Sequence, residues 1–93
     1  MSGKAENTFI GSVGKYLPDT VYAEKMHNPY RGGTPDMYYE GLTQSLWAEY
    51  KFVVLPKRAD TYIVPELSAL QLDWLERCRK NGHAPVVIVG CSN

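Results

Sequence analysis

Asp36, Glu49 and Lys51 stand where a folded core has least use for charge. Asp36 follows Pro35 at the mouth of "PDMYYE", and Glu49 and Lys51 alternate with apolar residues in "LWAEYKFVV". Side chains alternate across a strand, so Leu46, Ala48, Tyr50, Phe52 and Val54 share one face and Trp47, Glu49, Lys51 and Val53 the other. Glu49 and Lys51 are then same-face neighbours about 6.5–7 Å apart along the strand. Trp47 and Val53 want cover, which leaves that face half dry, and a carboxylate there is costly unless paired or metal-bound. If the two runs pair across a turn at Gly41, Asp36 comes near the Glu49 end of its partner. Two carboxylates beside a lysine suit one task well. The acids hold a hard divalent cation through oxygens, and the lysine orients an activated water or stabilises developing charge. Each signal also has a plainer reading: Glu-x-Lys as an ordinary ion pair, Pro-Asp as turn chemistry.

The elements that must position these residues can be read from periodicity. Residues 5–17 carry Phe9, Val13, Tyr16 and Leu17 at helical spacing, although Gly11 and Gly14 weaken the helix by roughly 1 kcal/mol each relative to alanine. Residues 20–26 and 36–40 read as strands, separated by a loop rich in Gly and Pro. Residues 46–55 form the best strand, dense in aromatic and β-branched side chains. Residues 56–65 are a polar connection, with Tyr62-Ile63-Val64 briefly extended.

Residues 68–81 read as a helix with Ser68 as N-cap, Gln71 completing an S-x-x-Q capping box and Gly82 just beyond the end. "PVVIVG", from Pro85 to Gly90, is apolar enough for a strand covered on both faces. The order α-β-β-β-α-β predicts an α/β fold. Three strands form an antiparallel meander, and a fourth returns parallel to a neighbour through a right-handed crossover.

Composition narrows the class without naming a function. The chain has 93 residues, which predicts one domain over 1–93, and ten basic residues balance ten acidic ones. Global charge therefore gives no sign of a nucleic-acid or membrane partner. The two cysteines, Cys78 and Cys91, lack metal-ligand spacing, and a reduced cytoplasmic compartment is the expectation. No apolar run approaches the ~18–20 residues that span a bilayer, and the N-terminus lacks a signal-peptide pattern.

Taken together, "GGTPD", "WAEYK", "LSALQLDWL" and "NGHAPVVIVG" resemble the active-site pattern of the PD-(D/E)xK nucleases. Within these the chain is most similar to the virus-type replication-repair nuclease (VRR-NUC) domain, over Glu6 to Gly90. The resemblance implies a restriction-endonuclease-like core and a metal-dependent endonuclease using Mg²⁺ or Mn²⁺. Asp36 and Glu49 would ligate the metal with help from the main-chain carbonyl of Tyr50, and Lys51 would be the catalytic lysine. It also implies DNA as substrate, branched as in a Holliday junction, and a homodimer. If the source is viral, the compartment is the host cytoplasm. Family domains often continue with a further hairpin or helix that supports the edge beyond the apolar strand, whereas this sequence stops at Asn93.

Other residues divide between bland and functional roles. Glu6 lies on the inward arc of the first helix, where related nucleases place an acid near the metal; a helix-start glutamate is equally explained by the dipole. Gln71 is explained by the capping box, yet its helical angle points it at the sheet, as the family pattern requires. Lys25, Arg31, Lys57, Arg58, Arg77, Arg79 and Lys80 are candidate phosphate contacts; each cluster is also an ordinary solvated face. His27 and His83 lack partners at ligand spacing. The tyrosines are mostly packing, with one or two available to stack on exposed bases. Two rival readings remain: a nuclease-fold DNA-binding accessory module without turnover, and a small α/β interaction domain whose charged strand is an ion-paired edge. Metal-dependent nicking of branched DNA separates the first reading from both.

Overall fold

The computed structural model describes residues 4–27, 32–55, 57–58, 62 and 66–91. In chain order the elements are α1 (Lys4–Gly14), β1 (Tyr22–Lys25), β2 (Met37–Glu40), β3 (Ser45–Val53), α2 (Ala69–Lys80) and β4 (Pro85–Cys91). The strands form one sheet in the order β1-β2-β3-β4. β1–β2 and β2–β3 are antiparallel, and β3–β4 is parallel. The molecule is a small α/β protein with a mixed sheet and two helices, in the element order expected from the sequence.

Strand alternation decides which helix meets which face. Phe9 of α1 packs edge-on against Tyr50, with ring centroids 5.7 Å apart, and lies 6.0 Å from Phe52. Ile10, Val13 and Leu17 join it over a buried centre of Tyr39, Ala48 and Tyr50. The Tyr39 and Tyr50 hydroxyls meet at 2.6 Å, so neither is buried without a partner. Burial and this contact hold the Tyr50 phenol well above its ordinary range. α2 serves the opposite face through Trp74, 5.2 Å from Trp47. Its entrance is built as the sequence predicts. Ser68 Oγ accepts from the Gln71 amide, the Gln71 side chain accepts from the Ser68 amide, and Gly82 follows the helix at φ 84°.

Two details depart from the sequence reading. The α-helix of residues 5–17 stops at Gly14, and Lys15, Tyr16 and Leu17 continue in i→i+3 bonds to Ser12, Val13 and Gly14. This tighter winding swings Tyr16 off the apolar arc, and it is 89% exposed. β4 is not covered on both faces, since Val87 and Val89 remain 37% and 41% exposed. It is the edge strand, and Val87 and Val89, paired with Glu49 and Lys51, lie on the α2 face, which the helix covers only in part. The extended segment expected at Ile63-Val64 lies outside the described residues, and Tyr62 is in no regular element.

The loop entering β2 is fixed by Gly33 and Pro35. Gly33 adopts φ 89°, and a Cβ there would stand 2.4 Å from the Leu70 carbonyl oxygen and 3.0 Å from the Gln71 nitrogen. Only glycine lets the loop lie against the first turn of α2. Pro35 is fully buried two residues later. Gly33→Ala therefore combines left-handed backbone strain with a backbone collision. It is expected to cost roughly 2 kcal/mol or more, read as a lowered urea midpoint with unchanged slope.

Candidate active site

Asp36, Glu49, Lys51 and Gln71 come from three separate segments and converge on the α2 face of β3. The β2–β3 register pairs Met37 with Ala48, which sets Asp36 beside Glu49 just beyond the last pair. Asp36 Oδ2 accepts a hydrogen bond from the Tyr50 amide at 2.8 Å. In a strand, the N–H and C=O of one residue point to the same edge. The Tyr50 carbonyl thus faces the Asp36 side too, past the end of β2.

Glu49 is only 3% exposed, the one buried Asp, Glu, Lys or Arg among the described residues. Its Oε2 accepts from Gln71 Nε2 at 2.9 Å and lies 3.6 Å from Lys51 Nζ. Lys51 Nζ in turn donates to Gln71 Oε1 at 3.2 Å. That same oxygen accepts from the Ser68 amide at 2.9 Å. Both roles weighed for Gln71 in the sequence are therefore filled at once. Its carbonyl caps α2 and holds Lys51, while its amide nitrogen reaches Glu49. The capping bond is what fixes the amide's orientation, since flipping it would oppose donor to donor at two places.

The electrostatics follow from burial. The Glu49 carboxyl, ordinarily at 4.5, is pushed up to about 7, chiefly by loss of water and then by the nearby charge of Asp36. Lys51 pulls it back down, and Glu6 adds a small upward push. Glu49 titrates close to neutrality because one ammonium does not offset burial plus two neighbouring carboxylates.

The remaining candidates spread out. Glu6 is half-buried in α1 and near enough for Glu49 to sense. Among the described residues, however, no three His, Cys, Asp or Glu side chains are grouped to hold one ion, so Glu6 does not complete a carboxylate triad with Asp36 and Glu49. Its helix packs on the Tyr50 side of the sheet through Phe9. Lys25 pairs with Met37 on β1, which puts it on the α1 face, away from Glu49 and Lys51. Arg79 is bound to Glu76 at 2.6 Å with Lys80 4.0 Å away, so two members of that basic cluster are engaged within their own helix. Arg77 lies 4.6 Å from the Trp74 ring centroid. Lys57 and Arg58 are exposed beyond the end of β3. Arg31 lies outside the described residues.

Sequence reasoning missed the extent of the aromatic row beside the site. Tyr38 is 4.6 Å from Trp47, and Trp47 5.2 Å from Trp74. The signal was present, since Tyr38 and Trp47 fall opposite one another once the Gly41 turn sets the register. No helix among the described residues is long and apolar enough to cross a membrane. No protein-family model matches the chain, and neither a curated protein nor a solved structure matches it.

The raised carboxyl makes a signed prediction. The unfolded chain releases the Glu49 proton near 4.5 and the folded one near 7, so between these values the folded state binds more protons. This contribution to stability is full below pH 4.5 and lost as pH rises to 7, on the order of 3 kcal/mol. Chemical denaturation without divalent metal should show the wild type losing stability across this window relative to Glu49→Gln. A Glu49→Gln profile parallel to the wild type would show that Glu49 titrates normally.

Proposed function

We propose that this chain is a divalent-metal-dependent nuclease that hydrolyses DNA phosphodiester bonds, with Asp36, Glu49, Lys51 and Gln71 as its working residues. The observation that carries the reading is the buried Glu49 carboxylate held between Lys51 and Gln71 while Asp36 comes alongside from the next strand. A protein gains no stability from such an arrangement. Breaking into a dry face with a carboxylate costs more than its single partial ion pair returns. An oxygen-rich pocket with surplus negative charge is what a hard cation requires.

The donors present fit Mg²⁺ or Mn²⁺ in kind: carboxylates from Asp36 and Glu49 and the Tyr50 carbonyl, with no group of three acidic or other ligand side chains among the described residues. A cation bound there would supply Lewis acidity and lower the pKa of a coordinated water. The protein's own contribution is positional. The Tyr50 amide fixes Asp36, and Gln71 fixes both Glu49 and Lys51. Lys51, 21% exposed at its side chain, keeps its ammonium within reach of a phosphate oxygen and of the charge that develops on it. The capping bond from Ser68 prevents the Gln71 amide from rotating away as substrate enters.

A restriction-endonuclease-like fold, a branched substrate and a homodimer belong to the same proposal. Resolving a four-way junction requires two cuts related by a two-fold axis, and one chain carries one such site. Phosphate contacts would come from exposed basic side chains such as Lys57 and Arg77, and binding should weaken with salt.

The test compares four labelled substrates (four-way junction, flap, single strand and linear duplex) with Mg²⁺, Mn²⁺ or chelator. Glu49→Gln should lower cleavage by about 10²-fold or more while the metal-free protein melts no lower than the wild type. Metal should raise the melting temperature of the wild type at pH 8 and leave Glu49→Gln unmoved. Binding of branched DNA without any metal-dependent cutting would favour the accessory module. Gln71→Ala makes a second prediction. Losing a cap contributes about 0.5–2 kcal/mol of instability. Activity measured well below the melting temperature should nevertheless fall at least about tenfold, because Glu49 and Lys51 lose the group that holds them. Unchanged activity would leave Gln71 as a cap alone.

A further inference from the structure

Next to Gln71, one turn further along α2, lies a cavity of about 360 Å³ that the proposed hydrolysis does not use. Its apolar wall is the row Tyr38, Trp47 and Trp74, and Arg77 closes one end over the Trp74 ring. Ser45, Asn81 and His83 supply the polar wall. Trp47 lies two residues from Glu49 on the same sheet face, so the cavity and the candidate catalytic residues open on one side of the molecule.

We propose that this cavity receives a single unpaired nucleobase of a nucleic-acid strand. Its size is near the lower end of small-molecule sites, roughly 300–1,000 Å³, enough for one planar ring system and too small for a stacked pair of base pairs. Tryptophan and tyrosine faces stack on any base, while a hydroxyl, an amide and an imidazole offer both donors and acceptors to a base edge.

Charge around the cavity separates a base from a phosphate. Glu24 pairs with Tyr38, and Glu40 with Ser45, so both carboxylates share this face of the sheet. Each is held by a tyrosine hydroxyl, Tyr22 to Glu24 at 2.6 Å and Tyr38 to Glu40 at 2.9 Å. A duplex backbone laid across β1 and β2 would meet these acids directly. A neutral base meets neither penalty, and its phosphates can lie on the opposite side, toward Arg77. The geometry thus favours a substrate that presents an unpaired nucleotide beside the cleavage site, and in its placement next to Glu49 the inference rests on the nuclease reading.

The chain's only two tryptophans, Trp47 and Trp74, both line the cavity, so selectively excited tryptophan fluorescence reports on it directly. The probes are a short oligothymidylate, an abasic sugar–phosphate strand of equal length and a blunt duplex. Oligothymidylate should change the emission and bind about five- to 150-fold more tightly than the abasic strand, the range expected for stacking one base. The double variant Asn81→Ala with His83→Ala should weaken oligothymidylate severalfold, leaving it tighter than the abasic strand, with an unchanged melting curve. Both side chains are exposed, and the cap at Asn81 uses only its backbone N–H. Glu49→Gln should leave the fluorescence response intact. Equal affinity for the two strands, or no emission change on binding, overturns the base site even if DNA is cut. Tight, base-dependent binding by a protein that cuts nothing supports the base site and removes the nuclease reading instead.

Discussion

A carboxylate at the centre of a sheet has to be held, and the contact between Glu49 and Gln71 is what the rest of this structure arranges. Glu49 lies on β3 between Trp47 and Lys51 and is 3% exposed, so little water reaches it. Its solvation must come from protein groups. Those groups come from α2, whose first turn is anchored by the capping box and by the loop packed at Gly33. A helix end, a glycine in the left-handed region and a buried acid are thus parts of one constraint. Each would be a local cost if the others were absent.

The same constraint explains the division of labour between the two faces. The α1 face is a conventional apolar contact, in which Phe9, Ile10, Val13 and Leu17 cover Tyr39, Ala48 and Tyr50. A Cβ at position 90 would come within 2.6 Å of the Phe9 ring, so Gly90 sets how closely α1 approaches. This face supplies the hydrophobic stabilisation that a small domain needs. The α2 face supplies little of that kind. It carries the acid, the lysine, the glutamine and the aromatic row, and β1 and β2 beyond the helix are left with Tyr22, Glu24, Tyr38 and Glu40 toward solvent. One side holds the protein together, and the other carries the charged and hydrogen-bonding groups of β3 and α2.

Much of this could be read before folding, because it depends on short-range rules. Alternation in "LWAEYKFVV" put Glu49 and Lys51 on one face, and Ser68 with Gln71 marked the start of α2 by a capping rule that acts over one turn. The turn at Gly41 brought Asp36 to the Glu49 end of β3. The limits have equally local causes. Gly14 and Pro18 shortened α1 and released Tyr16, and the apolar run of β4 concealed which of its faces would be covered.

The sequence by itself determined the order of elements, the meander with its parallel return, and the residue types able to do chemistry at Asp36, Glu49, Lys51 and Gln71. These follow from periodicity, capping and turn residues, which need only neighbours in the chain. Only the tertiary structure decided that one glutamine would serve both the helix cap and the buried acid. It also placed Lys25 on the opposite face from that group, closed Arg79 onto Glu76, and assembled two tryptophans and a tyrosine into a cavity. Those outcomes depend on strand register and on where α2 crosses the sheet, quantities set by the packing of the whole domain.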